Sequence, residues 1–271
     1  MTGAYAADLK VGPTRVQVDS EGEGPPFILV HSLLTGPEAF DEVAASLKRR
    51  HLVHRVSLPG FGRSDPLQQL DPTIDDIADH LAAALAQLDG GPGTAVLGNG
   101  LGGFVAAAMA IRHGITFDRL ILSNSGAAFS PERTAAFSTM SSLVTDGGMG
   151  AVVDVAVRRI FPEHYLDANP DVISERRMVL EGVDPLAFAA ACRALAATDL
   201  RPSLQRIPNQ TLIVIGEDDE TTPPEMGREL ADGITDSTVA EIPGCGHCPQ
   251  LQAPAALLAA IETFLDSPAR S

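Results

Sequence analysis

Three short segments of the 271-residue chain carry residue types that could do chemistry together. The first, Thr94-Ala-Val-Leu-Gly98-Asn99-Gly100-Leu101-Gly102-Gly103, reads as an apolar strand passing through a glycine-rich turn straight into a helix. That is the setting of a nucleophile elbow, G-x-S-x-G, whose turn is so tight that small residues must flank a side chain projecting at the helix N-terminus. Gly98 and Gly102 supply the small flanks, but Gly100 stands where the nucleophilic Ser is expected, so the hydroxyl is absent. The second segment, Gly216-Glu-Asp-Asp219-Glu-Thr-Thr222-Pro223, and the third, Gly244-Cys-Gly246-His247, each follow a strand pattern. Their order after the elbow is that of the acid and base in a Ser…Asp…His arrangement. In it His247 accepts the nucleophile's proton, while Asp219 orients the imidazole and stabilises its cationic form. Asp218 is the rival acid, and counting back from Thr222-Pro223 favours Asp219.

Other candidates have competing plain readings. Cys245, His247 and Cys248 form a C-x-H-C cluster whose spacing could bind zinc or do redox chemistry. No second ligand pair stands elsewhere in the sequence, so no metal is expected. His31 closes an apolar run and is either a buried, hydrogen-bonded structural histidine or a substrate contact. Arg133, Arg158, Arg159, Arg176, Arg177 and Arg193 are expected mostly on the solvated surface. One or two could face a substrate carboxylate, which Arg grips with two parallel hydrogen bonds.

The elements that must position these groups alternate in type. Apolar β-type runs at 27–31 (FILVH), 53–58, 94–98 (TAVLG), 119–123 (RLILS), 211–216 (TLIVIG) and 238–242 are nearly continuous, as expected of strands covered on both faces. A further strand at 14–18 precedes the turn Glu21-Gly22-Glu23-Gly24 and reads as antiparallel. Between the strands, 37–50 places Phe40, Val43, Ala44 and Leu47 at helical spacing. Thr73 and Asp76 form a capping box ahead of Ile74, Ile77, Ala78, Leu81, Leu85 and Leu88. Segments 102–113 and 254–266 are further helices. This alternation predicts an α/β fold with a mostly parallel central sheet flanked by helices. The rhythm breaks at about 126–208, which is helical in pattern and reads as a cap inserted into one domain spanning 1–271, with its core at about 1–125 and 209–271.

Composition narrows the classes. With 45% apolar and 20% charged residues the chain lies outside the disordered class. Nineteen Lys and Arg against 35 Asp and Glu give a net charge of −16, which repels phosphate backbones and anionic membranes, so neither nucleic acid nor a membrane is an expected partner. No apolar run approaches the roughly 18 residues that span a bilayer. The opening nine residues lack the basic and apolar regions of a secretory signal. Three cysteines fit a reducing compartment. A cytoplasmic location is the expectation, and a homodimer stays open.

These motifs together resemble the α/β-hydrolase fold superfamily, and within it the chain is similar to 3-oxoadipate enol-lactonases and related small-ester hydrolases. The resemblance covers nearly the whole length. It rests on His31-Ser32-Leu33-Leu34-Thr35, Leu58-Pro59-Gly60-Phe61-Gly62-Arg63-Ser64, the elbow, the Gly-x-x-Asp-x-x-Thr-Pro run and Gly-x-Gly-His. It implies an oxyanion hole built from the backbone N–H groups of Leu33 and Leu101, with His31, Ser32 and Asn99 near the substrate. It further implies a small-molecule ester or lactone substrate and no metal or organic cofactor. Gly100 leaves three readings open. The chain is an inactivated variant of a Ser-His-Asp hydrolase, or a natural enzyme using the His247 and Asp219 dyad as general base in a lyase, cyclase or cofactor-free oxygenase reaction, or a non-catalytic ligand-binding module. An enol-lactone-type substrate carries a carboxylate, so an arginine of the cap should reach the pocket.

Overall fold

The apolar runs pair into one eight-stranded sheet in the computed structural model, which describes residues 5–88 and 93–267. The outermost residues of the expected 1–271 domain therefore lie outside the described part. The strands are β1 (Tyr5–Val11), β2 (Thr14–Glu21), β3 (Pro26–Val30), β4 (Leu52–Val56), β5 (Ala95–Asn99), β6 (Arg119–Ser123), β7 (Gln210–Gly216) and β8 (Ser237–Ile242). They lie in the order β1-β2-β4-β3-β5-β6-β7-β8. The first two pairings, β1 with β2 and β2 with β4, are antiparallel; every later pairing is parallel.

Every residue of β3 and β5 is buried, which explains why they are apolar throughout apart from Asn99 at the end of β5. Successive side chains of a strand point to opposite faces. Phe27 and Leu29 accordingly join one apolar layer, with Phe40, Val43, Leu257 and Phe264, while Ile28 and Val30 join the other, with Leu81 and Phe104. The first layer is completed by α1 (Asp41–Leu47), which follows a short 3-10 turn at Pro37–Phe40, and by α11 (Pro254–Leu265), while Leu251 of the intervening α10 (Pro249–Gln252) packs against the second. On the second lie α2 (Ile74–Leu85), α3 (Leu101–His113) and, at the far side of the sheet, α9 (Pro224–Gly233). Thr73 caps α2 with the reciprocal Asp76 box expected from the sequence. The α1 segment differs from the single helix expected over 37–50, because its first turn is the tighter 3-10 form.

Between β6 and β7 the chain forms α4 (Pro131–Gly147), α5 (Val153–Ile160), α6 (Glu163–Ala168), α7 (Asp171–Glu181) and α8 (Pro185–Ala197). Among the described residues this stretch contains no strand, only an isolated bridge from Ala128 to Asp199. Its apolar residues, including Phe137, Met140, Val157 and Leu195, pack into the same layer as α2 and α3. The strand β1 is not anticipated by the sequence reading. It is an edge strand whose residues are all exposed or half-buried, so it lacks the apolar signal that marks the inner strands.

All the parallel strands end on one edge of the sheet. The loops after β3, β5, β6, β7 and β8 therefore converge there, which is where ligands bind in open parallel sheets.

Candidate active site

Gly100 forms the turn between β5 and α3 at φ 54° and ψ −119°, a conformation that a side chain makes strained and a glycine does not. The flanks are crowded as an elbow requires: a Cβ on Gly98 would lie 2.1 Å from the Gly102 carbonyl oxygen, and one on Gly102 would lie 2.2 Å from that of Val30. The backbone of a nucleophile elbow is thus complete, without its hydroxyl.

Across from this turn, the loops after β7 and β8 bring Asp219 and His247 together. His247 Nδ1 lies 3.0 Å from Asp219 Oδ2, and both residues are buried. Asp219 also accepts hydrogen bonds at Oδ2 from the Thr222 hydroxyl (2.7 Å) and Asn124 Nδ2 (2.9 Å). At Oδ1 it accepts them from the backbone N–H groups of Thr221 (2.8 Å) and Thr222 (3.0 Å). Burial by itself would raise the carboxyl's pKa. The neighbouring imidazole and the donated hydrogen bonds outweigh burial and hold it below its ordinary value. An ionised Asp219 only accepts, so Nδ1 carries the imidazole proton and Nε2 presents its lone pair. Asp218, the rival acid, is exposed.

Nε2 already has a partner. Ser32 Oγ, on the loop after β3, lies 3.1 Å from it and donates to it. The Ser32 backbone is pinned on both sides: its N–H donates to Thr35 Oγ1 at 3.2 Å and its carbonyl accepts from His31 Nδ1 at 2.8 Å. His31 Nε2 in turn accepts the Leu58 N–H at 3.1 Å. Burial lowers the pKa of His31, in keeping with a neutral ring that donates at Nδ1 and accepts at Nε2.

The cap holds the other side. The His247 N–H donates to the Ile160 carbonyl at the end of α5 at 2.9 Å, and the Thr221 hydroxyl donates to the Arg159 carbonyl at 2.8 Å. Between cap and sheet lies a narrow cleft with a cavity volume of about 20 Å³. Ser32, Gly100 and His247 lie at its floor, with Leu33 and Leu101 beside them; its walls are apolar, from Leu34, Phe104, Phe129, Phe137, Met140 and Leu195. Arg159 reaches the same cleft, and among the described residues its guanidinium has no ion-pair partner.

The structure thus brings Gly100, Asp219, His247, Ser32, Leu33 and Leu101 to one cleft and keeps two expected substrate contacts out of it. His31 is fully buried with both ring nitrogens engaged, so it positions Ser32 rather than touching a ligand. Asn99 is equally buried; it donates to the carbonyls of Ser123 and His247 and accepts from Gln250, clasping the histidine loop from behind. Phe61 packs on the His31 ring, 5.0 Å between centroids, and does not border the cleft. Cys245 and Cys248 are buried, and burial pushes both thiols up, Cys245 to about 12. Among the described residues no group of three or more His, Cys, Asp and Glu could hold a metal ion.

Two contributors escape the sequence reading. Asn124, just after β6, has a positive φ of 47°, which Asn tolerates better than most residues. It ties Asp219 to the histidine loop by donating from Nδ2 to both Asp219 and the Gly246 carbonyl. The signal for it is the polar run Ser123-Asn124-Ser125 at the carboxyl end of an inner strand. The contact of Ser32 with His247 joins residues 215 positions apart and carries no local signal.

A parallel sheet with an elbow after one strand and a carboxylate–imidazole pair after two later ones defines the scaffold of acyl-transfer hydrolases. The chain belongs to the alpha/beta hydrolase family, whose profile matches residues 27–261. It is 24% identical to 3-oxoadipate enol-lactonase 2 of Acinetobacter baylyi over 90% of either chain. It is 29% identical over 99% of its length to the polyketide synthase ThaQ of Burkholderia thailandensis, of which it spans only 13%. The crystal structure of the enol-lactonase from Burkholderia xenovorans LB400 superimposes with a TM-score of 0.88 at 26% identity, covering 97% of this chain and 100% of that one. Among the described residues no helix is long and apolar enough to cross a membrane.

Proposed function

We propose that this chain is a carboxylic ester or lactone hydrolase acting on a small, largely apolar acyl group, with Gly100 impairing it relative to an enzyme carrying Ser there. One observation carries this reading: the His247 imidazole is fixed by a buried, multiply bonded Asp219 and holds a serine hydroxyl on Nε2 at the floor of an apolar cleft. A hydroxyl on Nε2 is the arrangement for nucleophilic acyl transfer. It also favours this reading over a dyad acting directly on substrate as general base, which needs a free Nε2, and over a module that only binds. The cap and sheet sharing one apolar layer supports treating the chain as a single domain.

In the proposed reaction the substrate carbonyl oxygen is received by the N–H groups of Leu33 and Leu101. Leu101 opens α3, so its N–H has no acceptor within the helix. One such donor is typically worth about 3 to 4 kcal/mol of barrier. His247 takes the nucleophile's proton and returns it to the leaving alkoxide. Asp219 keeps the imidazole in the required tautomer and stabilises its cation. Arg159 supports a substrate bearing a carboxylate, as the resemblance to enol-lactonases implies, and the −16 charge of the chain makes such a local cation necessary for an anion to enter. No metal or organic cofactor takes part in this scheme.

The test is hydrolysis of short p-nitrophenyl esters and of five- and six-membered lactones by the unaltered chain and by His247→Ala. The expected result is measurable turnover that His247→Ala reduces to the solution background. Turnover above the solution background that is equal in both proteins would remove the acyl-transfer reading.

A further inference from the structure

Building on the hydrolase reading above, we infer that the nucleophile of this chain is Ser32, which stands at His247 Nε2 in the position an elbow serine would otherwise fill. Two independent observations lead there. The Ser32 hydroxyl lies 3.1 Å from Nε2, on a residue buried everywhere except toward the cleft. A buried serine ordinarily satisfies its hydroxyl on nearby backbone, whereas this one reaches across 215 positions to the imidazole. The second observation is steric. A Cβ at position 100 would lie 2.3 Å from Ser32 Oγ, 3.0 Å from Ser32 Cβ and 2.7 Å from His247 Nε2. A serine at position 100 and Ser32 in its present rotamer therefore exclude each other, and the missing side chain is what gives the Ser32 hydroxyl its place.

Ser32 is also held as a nucleophile must be, on a backbone fixed by Thr35 on one side and by His31 on the other. The groups around it need no rearrangement. Its own next residue supplies the Leu33 N–H, and Leu101, the first residue of α3, lines the same cleft. Attack forms the bond from Ser32 Oγ to the carbonyl carbon as the Oγ proton passes to His247 Nε2. The tetrahedral oxyanion collapses, the bond to the leaving oxygen breaks, and the alkoxide departs with the proton from Nε2. This leaves an ester on Ser32. Water then attacks the acyl carbon while giving one proton to Nε2. The bond to Ser32 Oγ breaks, the carboxylic acid departs and Oγ recovers the proton.

The experiment is labelling of the full chain with an alkyl fluorophosphonate and mapping of the adduct by peptide mass spectrometry, beside ester turnover. A single phosphonyl adduct on Ser32 is expected. Labelling rate and turnover should each fall at least about 100-fold in Ser32→Ala and in His247→Ala. Ser32→Cys guards against mere misfolding, because it should give an acyl-thioester burst with p-nitrophenyl acetate that Ser32→Ala lacks. An adduct on another residue, or full turnover by Ser32→Ala, would overturn the role of Ser32 and leave the hydrolase reading standing. A chain inert to probe and esters alike would also overturn it, and the double variant Gly100→Ser/Ser32→Gly then judges the parent reading: turnover there preserves the hydrolase assignment, and none removes both.

Discussion

Moving the hydroxyl back to the elbow separates the two candidate positions by their competition for one imidazole nitrogen. Gly100→Ser alone places a Cβ within 2.3 Å of Ser32 Oγ and 3.0 Å of Ser32 Cβ, so Ser32 must swing off Nε2 for the new side chain to fit. The positive φ adds strain of about 1 to 3 kcal/mol, offset by about 0.4 to 1 kcal/mol from the stiffer unfolded chain. The hydrogen bond lost by Ser32 is replaced by the one that the introduced hydroxyl makes to His247. The net loss is about 0 to 3 kcal/mol, or up to roughly 10 °C in Tm for a chain of this size. Ser32→Gly in the same chain removes both Ser32 atoms and the competing donor, leaving the 2.7 Å approach of the new Cβ to His247 Nε2 common to both variants. If the displaced hydroxyl and the close Cβ contact each act against the reactive geometry by about 1 kcal/mol, the double variant should exceed Gly100→Ser roughly thirtyfold in kcat. Stopped-flow release of p-nitrophenol, with both burst and steady state, measures this, and thermal unfolding provides the stability arm. A single Gly100→Ser variant that matches the double in burst and rate, at the Tm of the unaltered chain, would refute the steric argument.

Three further perturbations address the rest of the site. Arg159→Gln should lower kcat/KM for a hemiester carrying a free carboxylate by about 10- to 100-fold, the worth of a charged hydrogen bond, and leave a neutral ester of equal length nearly unchanged; equal effects on both would remove the carboxylate role. Asn124→Ala strips one donor from the buried Asp219 carboxylate and should destabilise the fold by about 1 to 3 kcal/mol in urea unfolding, while moving the acid limb of the kcat profile upward in pH. Because Asp219 is held below the ordinary carboxyl value of about 3.9, its ionised form stabilises the fold fully above that pH and loses its effect as pH falls through the lowered value. The stability gap between the unaltered chain and Asp219→Asn should thus shrink as pH falls below about pH 4; a gap that persists undiminished to about pH 2 would contradict the assignment.

What could be read from residues alone is what repeats locally. The inner strands declare themselves because both their faces are buried, as at β3, where all five residues are apolar. The elbow turn and the Asp219–His247 pair are legible because tight turns and strand ends restrict which residue types fit. The edge strand β1 is not, since exposure leaves its composition free. The role of Asn99 is misread for a related reason. Standing beside Gly100 in the sequence, it points in the opposite direction, because neighbouring residues of a strand end face opposite sides of the sheet, and its amide serves the histidine loop. Nor can helical patterning tell which of six cap arginines enters the cleft. Arg176 is buried against Glu38, Arg193 pairs with Asp71 and Arg177 with Asp154, Arg133 donates to the Glu220 and Thr221 carbonyls and Arg158 is exposed, which leaves Arg159 at the cleft.

The relocation of the hydroxyl is small in space although it crosses from one loop to another. The proposed oxyanion hole draws one N–H from the loop after β3 and one from the start of α3, and a nucleophile on either segment stands beside the same two donors. Transfer from position 100 to position 32 therefore preserves the base, the acid and the hole, and changes the segment that carries the acyl group. It also changes what holds the nucleophile. An elbow serine is fixed by a strained turn, whereas Ser32 is fixed by the hydrogen-bonded chain from the Leu58 N–H through the His31 ring to its own carbonyl. His31→Ala breaks that chain without touching the cleft. If Ser32 is the nucleophile, His31→Ala must lower kcat on p-nitrophenyl acetate with KM little changed, and in a Gly100→Ser/Ser32→Gly background the same substitution must leave kcat nearly intact. An equal loss in both backgrounds would assign His31 to general stability and would remove the support it gives to Ser32.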